Sequence, residues 1–207
     1  MRPTRRIAVL GATLTLAVTL TACASDTTPP AESPAEASAP ALSDDAADQT
    51  AHNDTDAQFA QMMIVHHEGA IEMAELAVTS AATDEVRSLG ERIAGAQGPE
   101  IQLMTSWLEA WEEELPSDAD MSPMDHGSME MDGMDQEQVM AELSGLTGTD
   151  FDRRFLELMT DHHRGAIEMA EEHREQGANP EAISLSGQII DAQTAEITEM
   201  TNLLQAL

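Results

Sequence analysis

The sequence predicts an all-α fold, a four-helix bundle made of two repeated helical hairpins. Three observations carry that prediction. The chain matches itself at a shift of 96 residues, its core must be filled by Ala, Leu, Ile and Met, and helix-ending residues recur between the same segments of each copy. Residues 56–107 (repeat one) and 152–203 (repeat two) align without a gap, with 23 identities in 52 positions. The strongest block, His66-His67-Glu68-Gly69-Ala70-Ile71-Glu72-Met73-Ala74-Glu75, returns as His162-His163-Arg164-Gly165-Ala166-Ile167-Glu168-Met169-Ala170-Glu171. Phe59, Phe151, Phe155, Trp107 and Trp111 are the whole aromatic set. Such a composition suits helices better than sheets.

Each copy reads as two helices. The first runs over about 55–80 in copy one, and the second helices cover about 84–114 and 180–205. In copy two, Gly177-Ala178-Asn179-Pro180 supplies a stop, an N-cap Asn and a Pro at the first helical position. Thr83 and Asp84 hold the equivalent places in copy one. Gly98-Pro99 is expected to kink the second helix of copy one, because Pro removes a hydrogen bond and crowds the preceding turn. A connector over 115–148 contains a short helix near 136–143, and Thr149 or Asp150 is placed to cap the long helix that follows. Two amphipathic hairpins cannot each bury an apolar face alone, so they are expected to pack into one bundle over 54–207.

The start of the chain reads differently. Arg2, Arg5 and Arg6 precede an uncharged, mainly apolar run over 7–20, and Leu20-Thr21-Ala22-Cys23 follows. That order is a secretory pattern, with 1–22 as the signal peptide. The run is too short for the roughly 20 residues that a spanning helix needs. Its Leu-Thr-Ala-Cys ending resembles the cleavage box of bacterial lipoproteins, in which the Cys becomes the lipid-modified first residue. Cys23 is the only Cys in the chain, so it cannot form an intramolecular disulfide. The expected location is therefore exported, with a lipid anchor on the outer face of the cell membrane or in the periplasm. Residues 23–53, with Pro29, Pro30, Pro34 and Pro40 among Ala, Ser, Thr and Asp, read as the lipidated Cys and a disordered tether. The formal charge of −30 and the absence of Lys exclude a nucleic-acid partner, since no basic patch exists to neutralise phosphates.

On a helical wheel, Phe59, Met63, His66, Ala70, Met73 and Ala77 fall within an arc of about 80°, with His67 and Ala74 at its edge. Phe155, Met159, His162, Ala166, Met169 and His173 make the same stripe, with His163 and Ala170 beside it. Glu72 lies opposite, towards solvent. Thioether and imidazole on one face suit copper, above all Cu(I), which soft sulfur ligands favour. Met104 and Met200 could approach from the second helices, giving either a site in each half or one shared site on the symmetry axis. Met is also a routine core filler, and an inward His can serve structure alone. The connector adds Met121, Met124, His126, Met129, Met131 and Met134 among Gly, Ser, Pro and acids, a flexible chelator for Cu(I) or, by analogy, Ag(I).

The repeated His-His-x-Gly-Ala-Ile-Glu-Met-Ala, preceded by Phe-x-x-x-Met, resembles the domain-of-unknown-function family numbered 305. Phe59, Met63, His66, His67, Gly69, Ala70, Met73 and Ala74 carry it in copy one, and Phe155, Met159, His162, His163, Gly165, Ala166, Met169 and Ala170 in copy two. The Met-Asp-His-Gly-Ser-Met run over 124–129 is similar to Met-rich segments of exported copper-resistance proteins. The resemblance implies a ferritin-like bundle, usually exported, with some members binding copper. Copy one has Ala77 where copy two has His173, so the halves are not expected to be equivalent if His173 is a ligand.

The expected function is copper binding in the cell envelope, for buffering, sequestration or delivery to an envelope copper-handling partner. The expected donors are His66, His67, Met63, Met73, His162, His163, Met159, Met169 and His173, with Met124, His126, Met129, Met131 and Met134 from the connector. A non-catalytic structural or interaction lipoprotein without metal is the alternative, followed by a metal-dependent oxidase. No Ser-His-Asp signature, phosphate loop or paired-carboxylate arrangement points to an enzyme.

Overall fold

The computed structural model describes residues 51–116 and 133–207. Its regular elements are five helices: α1 (Asp54–Ser80), α2 (Asp84–Trp111), α3 (Gln136–Ser144), α4 (Gly148–Gln176) and α5 (Pro180–Ala206). The all-α bundle of two hairpins is what the repeat predicts. α1 packs most extensively on α2 and α4 on α5, and the two hairpins meet through α1 and α4. The short α3 rests on α4 and α1. The expected signal peptide, Cys23, most of the expected tether and residues 117–132 of the connector lie outside the described residues.

The helix starts follow the chemistry of their caps. Asn53 accepts from the Asp56 N–H while the Asp56 carboxylate accepts from the Asn53 N–H, a reciprocal capping box. Thr83 caps α2, and Asn179 caps α5 ahead of Pro180. α4 departs from expectation. It begins at Gly148, whose φ of 67° only glycine adopts easily, behind Thr147, whose side chain makes no capping bond. Thr149 and Asp150 thus lie inside its first turn instead of capping it. α2 passes through Pro99 as one helix and stops at Trp111, short of residue 114, where Glu112 takes a left-handed conformation and donates to the Leu108 and Glu109 carbonyls.

The two hairpins are clasped reciprocally by the repeated Asp pair. Asp56 in α1 accepts from the N–H groups of Ala178 and Asn179, both at 3.1 Å, in the turn between α4 and α5. Asp152 in α4 accepts from the N–H groups of Ala82 and Thr83 at 2.8 and 2.9 Å, in the turn between α1 and α2. The Thr83 hydroxyl adds a third bond at 2.8 Å. Ala82 and Thr83 are the repeat equivalents of Ala178 and Asn179, so the 96-residue shift is a two-fold relation in space. Both carboxylates are fully buried. Each satisfies turn N–H groups that would otherwise be stranded.

Two apolar clusters form the core, and each draws on both copies. One joins Ala70, Met73 and Ala77 of α1 to Phe151, Phe155 and Met159 of α4, with Met200 of α5. The other joins Phe59 and Met63 of α1 to Ala166 and Ala170 of α4, with Met104 and Trp107 of α2. The start of each first helix therefore packs beside the end of the other, an antiparallel crossing. His66 falls between Met63 and Ala70, and His162 between Met159 and Ala166, so a histidine layer separates the clusters.

Candidate metal centre

At that crossing the rings of His66 and His162 meet, with centroids 3.7 Å apart and planes inclined by 48°. Both are buried. Both nitrogens of His66 and Nδ1 of His162 are shielded from water without a hydrogen-bond partner. Burial pushes the His66 imidazole down to about 3, the neighbouring His67 and His163 push it the same way, and the adjacent His162 backbone opposes them without reversing the shift. Burial, then His66, His163 and His67, hold His162 well below the ordinary histidine value. Both rings are therefore neutral at pH 7, the form in which imidazole ligates a metal.

His67 and His163 flank the pair. Nε2 of His67 lies 2.7 Å from Glu100 Oε2, and Nε2 of His163 lies 2.6 Å from Glu196 Oε2. The histidine side chains are wholly buried, whereas the Glu side chains keep 25% and 22% of their surface. The opposite nitrogen, Nδ1, is buried and unpartnered in both. One turn before each Glu, Gln97 and Gln193 bury a side-chain oxygen that also lacks a partner. Apart from His66 Nε2 and Trp111 Nε1, these stranded side-chain atoms occur in repeat-related pairs, whereas most buried polar groups in a folded protein are satisfied.

The thioethers divide around this layer. Met73, Met159 and Met200 belong to the first apolar cluster. Met63 and Met104 belong to the second, with the half-buried Met169 packed against it. The stripe of one helix is therefore split between the two ends of the bundle, while the histidines of both copies come together. This arrangement favours a shared centre over a separate site in each half. Among the described residues, no three His, Cys, Asp or Glu side chains converge where they could hold a metal ion. Thioether sulfur together with imidazole would make a soft donor set.

The structure gives His173 another position. Its Nε2 is 2.9 Å from Asp56 Oδ1 and its Nδ1 is 2.7 Å from the Ser186 hydroxyl. Its ring stacks on Phe59 at 4.1 Å. With both nitrogens engaged, His173 fastens a hairpin turn and offers no open donor. Met134 is half-buried against the first apolar cluster. Met124, His126, Met129 and Met131 lie outside the described residues, as does Cys23.

Sequence reasoning missed Glu100 and Glu196. They recur at the 96-residue shift, but on the second helices, whereas Glu72 on a His-bearing helix faces solvent and meets Gln136. Gln136 also donates to the Gly69 carbonyl at 3.1 Å. A β-carbon at position 69 would lie 3.0 Å from the end of the Gln136 side chain, which would have to shift to admit it.

The family described as "Domain of unknown function (DUF305)" matches residues 56–204. A DUF305 fragment from Deinococcus radiodurans is 32% identical with a TM-score of 0.65, covering 75% of this chain and 98% of its own. A DUF305 protein of Streptomyces coelicolor, assigned as secreted, is 33% identical with a TM-score of 0.65, covering 77% of this chain and 93% of its own. CopM in its Cu(II)-bound form is 32% identical with a TM-score of 0.62, covering 73% of this chain and 96% of its own. CopM is also solved in Cu(I)-bound, Ag-bound and apo forms. No curated protein matches the chain.

Proposed function

The chain belongs to the DUF305 family, and from that premise we propose that it is an exported copper-binding protein that takes the metal as Cu(I) and buffers, sequesters or hands it on. The single observation that carries this reading is the His66 and His162 contact, where three of four ring nitrogens are buried without a partner. An apolar pair of similar size would fill that space at lower cost, because a buried polar atom left unbonded costs about 1–3 kcal/mol. Neutral imidazoles with buried thioethers on either side supply the soft donors that Cu(I) selects. CopM, a structural relative, is solved with copper in both oxidation states and with silver. His66, His67, His162 and His163 with Met63, Met73, Met159 and Met169 are the proposed core donors, and the Met-rich connector is the proposed point of capture. The role is binding, not catalysis, and the recipient is an envelope copper-handling protein.

Titration with Cu(I) against a competing chelator tests the reading. At least one ion should bind tightly, and His66→Ala with His162→Ala should weaken its retention. Stoichiometry below one, or affinity unchanged by those substitutions, overturns it.

Export and anchoring form part of the same proposal. The assignment of the Streptomyces coelicolor relative as secreted supports export, and the Leu20-Thr21-Ala22-Cys23 box supports a lipid at Cys23. Among the described residues no helix is long and apolar enough to cross a membrane. A Cys23→Ala form should leave the membrane fraction; if it stays, the anchor is elsewhere.

A further inference from the structure

We propose that Glu100 and Glu196 are positioning residues, each fixing the tautomer of its histidine so that an Nδ1 lone pair is presented inside the bundle. The proposal rests on the copper reading for its purpose, though not for its geometry. A carboxylate accepts hydrogen bonds and does not donate them, so the nitrogen facing it carries the proton. At 2.7 and 2.6 Å, the Nε2 atoms of His67 and His163 are the proton-bearing ones. Their Nδ1 atoms are buried and meet no acceptor, which is where an unprotonated lone pair belongs and an N–H would be stranded.

The arrangement is that of an outer carboxylate orienting a metal-ligating imidazole, which fixes the ring and raises its basicity. It recurs at the same spacing in both halves, since each Glu stands 33 residues after its His. A surface role alone would not require two Glu side chains to reach inward to wholly buried rings. The acids lie on α2 and α5 and the histidines on α1 and α4, so each hairpin sets its own donor.

The test begins on metal-free protein. Long-range proton–nitrogen correlation of 15N-histidine protein, assigned with His67 and His163 substitutions, reads each tautomer directly. Both rings should be in the Nε2–H form. Glu100→Ala should shift His67 to a mixture and leave His163 unchanged as an internal control, and Glu196→Ala should do the reverse. Glu→Gln at either position keeps an acceptor oxygen and should restore part of the Nε2–H population. Cu(I) competition should then show affinity about 10–100-fold weaker in the double Ala variant. An Nδ1–H ring in the parent protein, or tautomers indifferent to the substitutions, overturns the proposal. Parent protein that shows the expected tautomers but takes up no Cu(I) overturns the copper reading and removes the metal purpose while the tautomer assignment stands. Cu(I) uptake unaltered by the double variant overturns the positioning role alone.

Discussion

His66 and His162 are repeat equivalents that touch each other, their ring centroids 3.7 Å apart at the antiparallel crossing of α1 and α4. Residues on a two-fold axis meet their own counterparts, so one substitution position in the repeat acts twice at one place. Here that place is buried and lacks hydrogen-bond partners for three of the four ring nitrogens. The pair contributes less to stability than an apolar pair would, and its acid–base behaviour follows from the same burial.

Metal-free protein should lose stability as the pH falls below about 6.5. His66 has its folded value depressed to about 3, so the unfolded chain binds the proton first. Stability from the neutral ring is complete above the unfolded value and drains away on the way down to the folded one. Between pH 7 and 5 the loss attributable to His66 is about 2 kcal/mol, with His162 acting in the same direction. Denaturant unfolding of the parent and of His66→Leu/His162→Leu at both pH values measures it. Parallel profiles would show that the rings do not titrate as argued.

The same double Leu variant should be more stable than the parent at pH 7.5 without metal, by about 1–3 kcal/mol. Leucine approximates the imidazole in volume and strands no polar atom. Its Cu(I) retention should fall at the same time. A large loss of stability would mean that the histidines hold the fold together and that their use for metal is unsupported.

Asp56 and Asp152 should prove unequal despite their symmetry. Asp56→Ala strands three backbone N–H groups and removes the partner of buried His173, so it should cost about 3–5 kcal/mol. Asp152→Ala leaves only the Ala82 and Thr83 donors and should cost about 2–3 kcal/mol. Burial raises the Asp56 carboxyl, but bonds from Asn53, His173, Ala178 and Asn179 outweigh it and leave it below the usual carboxylate value. Its contribution is therefore present above pH 3.8 and lost as the pH falls below that. Urea unfolding of both variants, with the Asp56 variant followed down to pH 3, gives the comparison.

Local rules made much of this legible. The 96-residue repeat, the caps at Asn179 and Thr83, and the inward faces of His66 and His162 all follow from spacing along the chain. What spacing cannot give is the crossing of α1 and α4, which brings His66 to His162 and divides the methionines between two clusters. Glu100 and Glu196 were hidden for a similar reason. Their recurrence is plain, but their meaning depends on how α2 lies along α1 and α5 along α4. The same limit applied to His173. Its place on the stripe suggested a ligand, and only the position of Asp56 on the other hairpin and Ser186 on α5 reveals a hydrogen-bonded fastening.

That fastening has a counterpart in copy one, which yields a prediction at glycine. His173 and Ser186 correspond to Ala77 and Gly90. Where copy two places a bonded pair, copy one brings the helices together over two small residues. A β-carbon at Gly90 would lie 2.8 Å from the Ala74 carbonyl oxygen and 3.3 Å from the Ala77 β-carbon. Backbone cannot swing aside as a flexible side chain can, so Gly90→Ala should cost about 1–3 kcal/mol despite the better helix propensity of alanine. Gly95, five residues along the same helix, is exposed and has nothing within 4 Å of such a carbon. There the propensity gain stands alone, and Gly95→Ala should stabilise the protein by about 0.5–1 kcal/mol. Opposite shifts in the thermal midpoints of the two variants would support the close approach of α1 and α2 at Gly90. Shifts of the same sign would mean that the helices do not meet there.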